Sequence, residues 1–384
     1  MQYIGGNRLT LLHNGAEYFP ALVAAIDAAR REVFLESYIY ADDETGSLVT
    51  DALTRAAARG VQVRLLIDGF GARDFPERWR RALREAGGRV LTFRPEFARL
   101  RLRRGRLRRM HRKLAVVDGA VAFVGGINVI DDFDGPAERR PRHDYAVRVE
   151  GPLAAEVRAA TVRLWRSVAR TVMRGRPRVL TAPPDPAPAG EQRAALVIRD
   201  SWRHRRDIED AYLAHIRSAK RDIVIAVAYF FPGRRFRHAL IEARKRGVRI
   251  RLLLQGKIEY ALVSYASRAL YGSFLDAGIE IHEYHRAILH AKVAVFDERF
   301  ASIGSSNIDP LSLLFAREAN VFVDDAGFSQ QLCRSLEEAM RTGAQQLAPR
   351  QWREQSLLTR LRIWIGYGLA RLAISLVGRL ERYH

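Results

Sequence analysis

Helix-like and strand-like patterns of hydrophobic positions alternate along this chain, and the same series of patterns occurs twice. Each series opens with an amphipathic helical pattern and continues into a short apolar run typical of a buried strand. A second helical pattern, a glycine turn and another apolar run follow in both copies. The first copy places the patterns at 16–40, 48–69 and 83–90, and the second places them at 206–230, 237–256 and 274–281.

This alternation predicts an α/β fold in which helices cover the faces of the sheets. Two long copies favour a pseudo-dimer over a solenoid, which needs several short units. Between the copies, 176–193 is rich in proline and lacks periodicity, and we interpret it as a linker. The predicted organisation is a first repeat at 1–175, this linker, a second repeat at 194–348 and a C-terminal segment at 349–384.

A polar motif follows the series in both copies, in "MHRKLAVVDGAVAFVGGIN" at 110–128 and in "LHAKVAVFDERFASIGSSN" at 289–307. Each histidine is followed two positions later by lysine, seven later by aspartate and 17 later by asparagine. Because alternate residues of a strand face one side, the histidine and lysine can address the same ligand. A single short motif arises by chance, but two copies with identical spacing indicate a functional site. The residues are His111, Lys113, Asp118 and Asn128, and His290, Lys292, Asp297 and Asn307.

These side chains suit phosphodiester exchange. One imidazole can attack phosphorus and hold a covalent phosphohistidine. The other can protonate the leaving alkoxide and then deprotonate the incoming alcohol. Lysine and asparagine donors can hold the non-bridging oxygens, where negative charge concentrates in the transition state. We expect no metal or other cofactor, because the lysine beside each histidine would repel a cation.

Two acids at the starts of strand-like runs are candidates for fixing the histidine tautomers. "HDYAVRVEG" at 143–151 opens with Asp144, 33 residues after His111, and "REANVFVDD" at 317–325 opens with Glu318, 28 residues after His290. Each half has its acid at the start of a strand-like run that follows the motif, so we predict that Asp144 and Glu318 orient the imidazoles. The alternative is an exposed acid at the end of a strand.

The two motifs resemble the HKD motifs of the phospholipase D superfamily, HxKx4D followed by GG or GS, one further residue and Asn. Within the superfamily, "RRMHRKLAVVDGAVAFVGGIN" and "LLHAKVAVFDERFASIGSSNIDPLSL" are most similar to bacterial cardiolipin synthases. The likeness is to the short type, which lacks N-terminal membrane-spanning helices, and it covers nearly the whole chain.

The resemblance implies a bilobal fold of two phospholipase D-like α/β repeats, related by a pseudo-twofold axis, with one active site at their interface. It implies transfer of a phosphatidyl group from one phosphatidylglycerol to another, with release of glycerol. By the family pattern, His111 is the nucleophile and His290 the acid and base. The rest of the expected site comprises the motif aspartates Asp118 and Asp297, which support the local fold, and the phosphate-binding or supporting Asn128, Asn307 and Ser305.

Composition adds a strong positive charge. The 384 residues contain 64 Lys and Arg against 43 Asp and Glu, which gives +21 at pH 7. Such an excess favours polyanionic partners, either nucleic acid or an anionic membrane. Cys333 is the only cysteine, so an internal disulfide and a cysteine-based zinc site are excluded. The N-terminus does not have the pattern of a signal peptide, and we expect no membrane-spanning stretch.

Arginine is concentrated at 99–113, "RLRLRRGRLRRMHRK", which runs directly into His111. We expect this segment to hold lipid phosphates at the mouth of the site, because basic residues near an anionic surface stabilise binding. Leucines alternate with the arginines and could enter the membrane interface. The alternative is a solvated basic loop. The arginines expected at the lipid surface are Arg101, Arg103, Arg104, Arg108 and Arg109.

The C-terminal stretch 357–380 has an amphipathic helical pattern. Arg360, Arg371, Arg379 and Arg382 share one helical face, and apolar residues such as Trp364 cover much of the remainder. Internal arginines argue against a spanning helix, so we predict a helix that lies in the membrane interface. The alternative is a helix packed on the protein's own core.

The leading hypothesis is therefore a cardiolipin synthase, peripheral on the cytoplasmic side of a bacterial inner membrane, with phosphatidylglycerol and cardiolipin as partners. A hydrolytic phospholipase D or a phosphatidylserine synthase would share the first chemical step and differ in the acceptor, which the sequence leaves open. A nuclease of the superfamily would also suit the positive charge. Nucleic acid is not expected, because no aromatic stacking platform is evident. A non-enzymatic membrane scaffold fits the two intact motifs least well.

Overall fold

The computed structural model describes most of both repeats. The described residues are 1–95, 109–133, 141–172, 186–200, 204–257, 261–309, 316–354, 361–369 and 371–372.

Strands and helices alternate in each repeat, as the hydrophobic pattern predicts. The first repeat contains β1 (Ile4–His13), α1 (Asn14–Asp27), β2 (Glu32–Ser37), α2 (Glu44–Ala58), β3 (Gln62–Asp68), α3 (Glu77–Glu85), β4 (Arg89–Phe93), β5 (Arg109–Met110), β6 (Lys113–Val117), β7 (Val121–Gly125), β8 (Tyr145–Glu150) and α4 (Leu153–Val172). The second contains β9 (Gln192–Arg199), α5 (Asp207–Ser218), β10 (Asp222–Val227), α6 (Arg234–Lys245), β11 (Arg249–Gln255), α7 (Ala261–Arg268), α8 (Tyr271–Asp276), β12 (Glu280–Tyr284), β13 (Lys292–Phe296), β14 (Phe300–Gly304), β15 (Ala316–Asp324), α9 (Ala326–Gly343), β16 (Ala344–Gln346) and α10 (Pro349–Arg353).

The described strands form one sheet that runs through both repeats. Its order is β16-β12-β11-β10-β13-β14-β15-β9-β1-β8-β7-β6-β2-β3-β4, and β5 pairs with β15. Read outwards from the central β9–β1 pair, six strands of each half match in order, so β15 corresponds to β8 and β13 to β6, and β16 at the outer edge has no counterpart among the described strands. The predicted α/β fold of two repeats related by a pseudo-twofold axis is confirmed.

Helices cover both faces of this sheet because its central strands are apolar on both sides. In β2, Phe34 packs into a core shared by the two repeats, whereas Leu35 packs into a core that belongs to the first repeat. Helices α4 and α9 close the shared core, with Trp165 and Leu332 among the residues that they contribute. Helices α1 and α2 close the first repeat's own core, and α5 and α6 close the corresponding core of the second.

The parallel strands of each repeat end at the same edge as the motif histidine. Strands β2 and β3 are parallel, and β6 runs antiparallel to β2, so the start of β6 meets the ends of β2 and β3. The second repeat arranges β10, β11 and β13 in the same way. Both histidines therefore lie at the carboxyl ends of the parallel strands.

The C-terminal helix (361–369 and 371–372) packs one face on the second repeat. Ile363 is buried, and Tyr367 lies with its ring centroid 5.8 Å from that of Phe231. A Cβ on Gly366 would lie 2.6 Å from the Cβ of Tyr265, so only glycine permits this close approach to α7. The opposite face exposes large apolar side chains, namely Leu361, Trp364, Ile365, Leu369 and Leu372.

This arrangement combines features of both interpretations of the helical pattern, since one apolar face packs on the protein and another is left exposed. Of the four arginines predicted to share a face, Arg371 is exposed, whereas Arg360, Arg379 and Arg382 lie outside the described residues. None of the helices in the described part of the chain combines the length and apolar character that crossing a bilayer requires.

Candidate active site

The backbone of each motif histidine is tied to the other repeat. His111 N–H donates to the carbonyl of Arg317 at 3.0 Å, and His290 N–H donates to the carbonyl of His143 at 2.9 Å. Strand β5, which ends at Met110, pairs in parallel with the start of β15. The two histidines are thus placed at the seam between the repeats.

The side chains of the histidines make the same crossed connection. His111 Nδ1 lies 2.9 Å from Glu318 Oε1 and 3.2 Å from Oε2, and His290 Nδ1 lies 2.6 Å from Asp144 Oδ2. Counting along the sequence places each acid with the histidine of its own half, but the contacts join opposite halves. The reason is that β8 and β15 flank the central strand pair, so the acid at the start of each strand faces across the seam.

A carboxylate at Nδ1 holds the proton on that nitrogen and leaves Nε2 with its lone pair. The side chain of His111 is only 17% exposed, and that of His290 is only 18% exposed. Burial lowers the pKa of His111, although Glu318 opposes the shift. Burial and the two motif lysines hold the pKa of His290 well below its usual range. Both imidazoles are accordingly neutral near pH 7, as a nucleophile must be.

The two acids differ in charge state. Burial alone would raise the pKa of Glu318, but His111, Lys113 and the hydroxyl of Ser305 outweigh it and lower that pKa. Burial raises the pKa of Asp144 to about 6, against the opposing effect of Lys292. Glu318 is therefore ionised through the neutral range, whereas Asp144 titrates near its lower end.

The motif lysines are almost completely buried at this seam. Lys113 Nζ donates to the carbonyl oxygen of His111 at 2.6 Å, and Lys292 Nζ donates to the carbonyl oxygen of His290. Burial lowers the pKa of Lys113 to about 7, and the nearby Lys292 adds to the shift while Glu318 opposes it. Two ammonium groups so placed form a site for an anion. In the described part of the chain, no three His, Cys, Asp or Glu side chains are grouped as metal ligands.

The residues after each motif support the acids and present amide groups. Asn128 Oδ1 accepts from Ile39 N–H at 3.1 Å, which fixes the orientation of this amide group. Ser305 Oγ donates to Glu318 Oε2 at 2.5 Å. The first repeat has Gly126 at the position of Ser305, and a Cβ there would lie 2.3 Å from Asp144 Oδ1. Glycine at this position of the first motif leaves room for Asp144, whereas serine at the same position of the second motif donates to Glu318.

The motif aspartates lie at the far end of the strands from the histidines. The five residues of β6 lie between His111 and Asp118, and they alone span about 16 Å at about 3.3 Å per residue. Asp118 accepts from the backbone N–H groups of Arg30, Arg31 and Glu32. Asp297 accepts in the same way from the N–H groups of 220–222. The structure thus gives both aspartates a part in the fold and no contact with the site.

The structure adds site residues that the motif spacing does not reveal. The ring of Tyr38 lies 4.9 Å from that of His111, and the Lys113 ammonium lies 5.3 Å from the Tyr38 centroid. Arg112 forms a buried ion pair with Glu36, directly after His111. Asp68 accepts from the N–H of Met110 at 2.8 Å, directly before it. The only signal for Tyr38 and Asp68 in the sequence is that each stands at the end of a predicted buried strand.

The arginine segment is described only at its end. Arg109 is partly buried, with its guanidinium 4.8 Å from the centroid of Phe70 and Nη1 3.8 Å from an oxygen of Asp68. Arg101, Arg103, Arg104 and Arg108 lie outside the described residues, so their expected place at the lipid surface stays a prediction.

Comparison with known proteins supplies the family context. A family model described as "Cardiolipin synthase, PLD-like domain" matches residues 22–159 and 212–340. The chain is 38% identical over 352 residues to Cardiolipin synthase B of Escherichia coli strain K12, covering 89% of this chain and 82% of that protein. It is 31% identical over 341 residues to the Major cardiolipin synthase ClsA of Bacillus subtilis strain 168, covering 86% and 68%. The crystal structure of a Haemophilus influenzae phosphatidylserine synthase superposes with a TM-score of 0.70 at 14% identity, over 96% of this chain and 94% of that one, which shows a shared fold.

Proposed function

This chain belongs to the cardiolipin synthase family with phospholipase D-like domains, and we propose from that membership that it joins two phosphatidylglycerol molecules into cardiolipin and releases glycerol. The observation that carries the proposal is the crossed pair of histidine–carboxylate contacts, His111 with Glu318 and His290 with Asp144. These contacts aim two neutral imidazoles, one from each repeat, at a single seam lined by two buried lysines.

The first half of the reaction forms a covalent intermediate. His111 Nε2 attacks the phosphorus of phosphatidylglycerol, and a P–N bond forms as the bond to the glycerol oxygen breaks. His290 takes up a proton when the anionic lipid binds beside it, because the negative charge of the phosphate favours the imidazolium. It then gives that proton to the departing glycerol alkoxide. Glu318 stabilises the positive charge that develops on His111, because its carboxylate is ionised and hydrogen-bonded to Nδ1.

The second half reverses these roles on a new alcohol. The primary hydroxyl of a second phosphatidylglycerol gives its proton to His290 and attacks the phosphorus. The P–N bond breaks, cardiolipin forms and His111 is neutral again. His290 regains the proton that it lost, so one glycerol leaves and no net proton is consumed.

The lysines and asparagines stabilise the phosphoryl group in both steps. Lys113 and Lys292 approach it from opposite repeats, and the amides of Asn128 and Asn307 add neutral donors. Burial destabilises the ammonium form of Lys113, and a phosphate beside it favours that form. Binding of an anionic lipid therefore brings the lysine into its charged state when the charge is needed.

The enzyme works at the surface of the bacterial cytoplasmic membrane, as a peripheral protein on the cytoplasmic side. Its net charge of +21 favours an anionic surface. The exposed apolar face of the C-terminal helix, with Trp364 61% exposed, supplies side chains that can enter the interface. This helix packs on Phe231 and on α7, which follow β10 and β11 at the edge where the histidines lie. Membrane contact there would bring lipid headgroups to the site.

The test is a product analysis. Purified protein is incubated with phosphatidylglycerol vesicles, and the lipids are identified by mass spectrometry, with His111→Ala as the matched inactive control. We expect cardiolipin and an equal amount of free glycerol. Phosphatidic acid as the only product would identify a hydrolase instead, and cleavage of DNA with intact lipid would identify a nuclease.

A further inference from the structure

A second cavity lies between the repeats, on the other face of the sheet from the motif lysines. Its volume of about 360 Å³ falls in the range of roughly 300–1,000 Å³ that is typical of small-molecule pockets. We call it the rear cavity. Its polar lining comes from both repeats and includes His13, His143, Tyr284, Arg286, Ser335 and Thr342.

The rear cavity is separated from the active site by the backbone of one strand. Alternate residues of a strand point to opposite faces, and Tyr145 packs in the shared core while Ala146 packs in the first repeat's own core. Asp144 therefore faces the motif histidines, whereas His143 faces the rear cavity. The carbonyl of His143 accepts from the N–H of His290 at 2.9 Å, so the two sites share this backbone segment.

A chain of hydrogen bonds runs along the wall of the rear cavity. His13 Nε2 lies 3.1 Å from His143 Nδ1, and His143 Nε2 lies 3.0 Å from the hydroxyl of Tyr145. That hydroxyl lies 2.7 Å from Ser335 Oγ. Burial lowers the pKa of His143 to about 3 and holds the pKa of His13 below its usual range. Both imidazoles are accordingly neutral near pH 7.

This chain can present a donor to the cavity without any member becoming charged. In one of its two directions, Ser335 donates to Tyr145 and Tyr145 donates to His143 Nε2. His143 Nδ1 then donates to His13 Nε2, and the proton of His13 lies on Nδ1. Within the described residues, Nδ1 of the half-buried His13 has no hydrogen-bond partner. A ligand that accepts from His13 would select this direction.

The lining also carries a positive charge that no carboxylate pairs. Arg286 Nη1 donates to Thr342 Oγ1 at 3.1 Å, and among the described residues the guanidinium forms no ion pair. The charge of Arg286 adds to the effect of burial on the pKa of His143, so the two groups lie close together. Glu338 brings a carboxylate to the described lining, but it is bound to both Nε and Nη2 of Arg341.

One guanidinium and one neutral N–H donor suit an anion with several acceptor oxygens. Arginine binds phosphate through two parallel hydrogen bonds, and Arg286 uses only one of its donors on Thr342. The cavity is also lined by apolar groups, from Pro141, Ala287 and Ala339. These groups can contact the carbon atoms of an ester, so a phosphate ester matches the lining better than a bare ion does.

We propose that the rear cavity is a second anion site, which binds the phosphate group of a lipid headgroup or of a soluble phosphate ester through Arg286 and His13. Its ligand is not the lipid that reacts at His111, because the backbone of 143–144 lies between the two sites. The proposal goes beyond the proposed function and does not depend on it, since binding in the rear cavity requires no turnover.

The test reads each site through its own histidine. His111→Ala protein, which does not consume lipid, is labelled with ¹³C-histidine, and its Cε1–H signals are followed by NMR. His13→Phe and His290→Ala, each added to this protein, assign the signals of the rear cavity and of the active site. The two probes are inorganic phosphate and dihexanoylphosphatidylglycerol below its critical micelle concentration. We expect both signals to shift and to saturate.

Arg286→Gln is the central variant, because Arg286 is exposed and its loss leaves the core unchanged. We expect the probe concentration that half-saturates the His13 signal to rise about tenfold or more, as for the loss of a charged hydrogen-bond donor. The His290 signal should titrate as before, which shows that the protein is folded. Arg163→Gln removes the same charge from the exposed face of α4 and is the control. It should leave both titrations unchanged.

The two probes distinguish the sources of the phosphate. Saturation of the His13 signal by the short-chain lipid at a lower concentration than by phosphate identifies a lipid headgroup as the ligand. Saturation by phosphate alone identifies a soluble phosphate compound. The proposal is overturned if neither probe shifts the His13 signal while His290 responds, or if Arg286→Gln and Arg163→Gln give the same His13 titration. A protein that makes no cardiolipin could still pass this test, so the two failures are distinguishable.

Discussion

The imidazole of His111, in the first repeat, is held by the carboxylate of Glu318, in the second, with Nδ1 and Oε1 2.9 Å apart. Asp144 holds His290 across the same seam in the opposite direction. Each half of the chain therefore contributes one imidazole and the acid that orients the other. Neither repeat alone contains a complete histidine–carboxylate pair.

Removing either carboxylate should abolish most of the activity without unfolding the protein. Glu318→Gln and Asp144→Asn keep the size of the side chain but no longer hold the Nδ1 proton of the partner imidazole. We expect kcat to fall by about 10²- to 10⁴-fold, with a smaller change in KM, as for other oriented histidines. Initial rates of cardiolipin formation over a range of phosphatidylglycerol concentrations measure both quantities.

Glu338→Gln is the matched control for these variants, because Glu338 pairs with Arg341 at the exposed surface of α9. It should retain the wild-type kcat. Wild-type rates in Glu318→Gln would show that the crossed contact has no part in the chemistry.

The motif aspartates should matter for stability and not for turnover. Asp118→Asn replaces a carboxylate that accepts from three backbone N–H groups with an amide that has one acceptor oxygen. Asparagine tolerates the left-handed backbone at this position, where φ is 51°, so the loss is confined to the hydrogen bonds. We expect the free energy of unfolding in urea to fall by about 1–3 kcal/mol. The kcat of the folded fraction should stay within about twofold of wild type. A fall in kcat as large as that of Glu318→Gln would show that Asp118 takes part in catalysis.

The pH profile should be narrow, because two groups with shifted pKa values must be charged together. Burial raises the pKa of Asp144 to about 6, so its carboxylate is lost as the pH falls below that value. Burial lowers the pKa of Lys113 to about 7, so its ammonium is lost as the pH rises above that value. We expect kcat/KM, which reports the free enzyme, to be greatest between about pH 6 and 7 and to fall on both sides.

Variants assign the two limbs of this profile. Asp144→Asn should remove the acid limb, and Lys113→Arg, which stays charged, should move the basic limb to higher pH. A profile of the same shape in both variants would rule out these two groups as its origin.

The exposed face of the C-terminal helix should contribute to membrane binding. Replacing Trp364 and Leu369 by Ser removes two large exposed apolar groups and leaves the inward face of the helix, with Ile363, in place. We expect binding to phosphatidylglycerol-containing vesicles to weaken about tenfold or more, measured by co-sedimentation. Leu48→Ser, an exposed apolar residue on α2, is the control. Equal sedimentation of the three proteins would show that this helix does not anchor the enzyme.

Much of the fold could be predicted from the sequence because the same series of hydrophobic patterns occurs twice along the chain. The shared order of helical and apolar patterns identified both repeats, and the repeated His-Lys-Asp-Asn spacing identified the motif segments. Strand β1 was not predicted, although it pairs with β8 and β9 at the centre of the sheet. The sequence of β1 belongs to neither repeated pattern. Its position follows from its pairing with β8 of the first repeat and β9 of the second.

The details of the site depend on contacts that spacing cannot give. The positions of Asp144 and Glu318 indicated histidine partners, but sequence separation gives no information about which acid crosses the seam. Tyr38 stands at the end of a predicted strand, and only the structure places its ring 4.9 Å from that of His111.

The covalent intermediate is the most direct test of the mechanism. Protein turning over phosphatidylglycerol is quenched in denaturant at neutral pH, which avoids the acid that cleaves the P–N bond, and its peptides are examined by mass spectrometry. The account predicts a phosphatidyl adduct on the peptide that contains His111, absent from His111→Ala. An adduct on the peptide that contains His290, or continued turnover by His111→Ala, would contradict it.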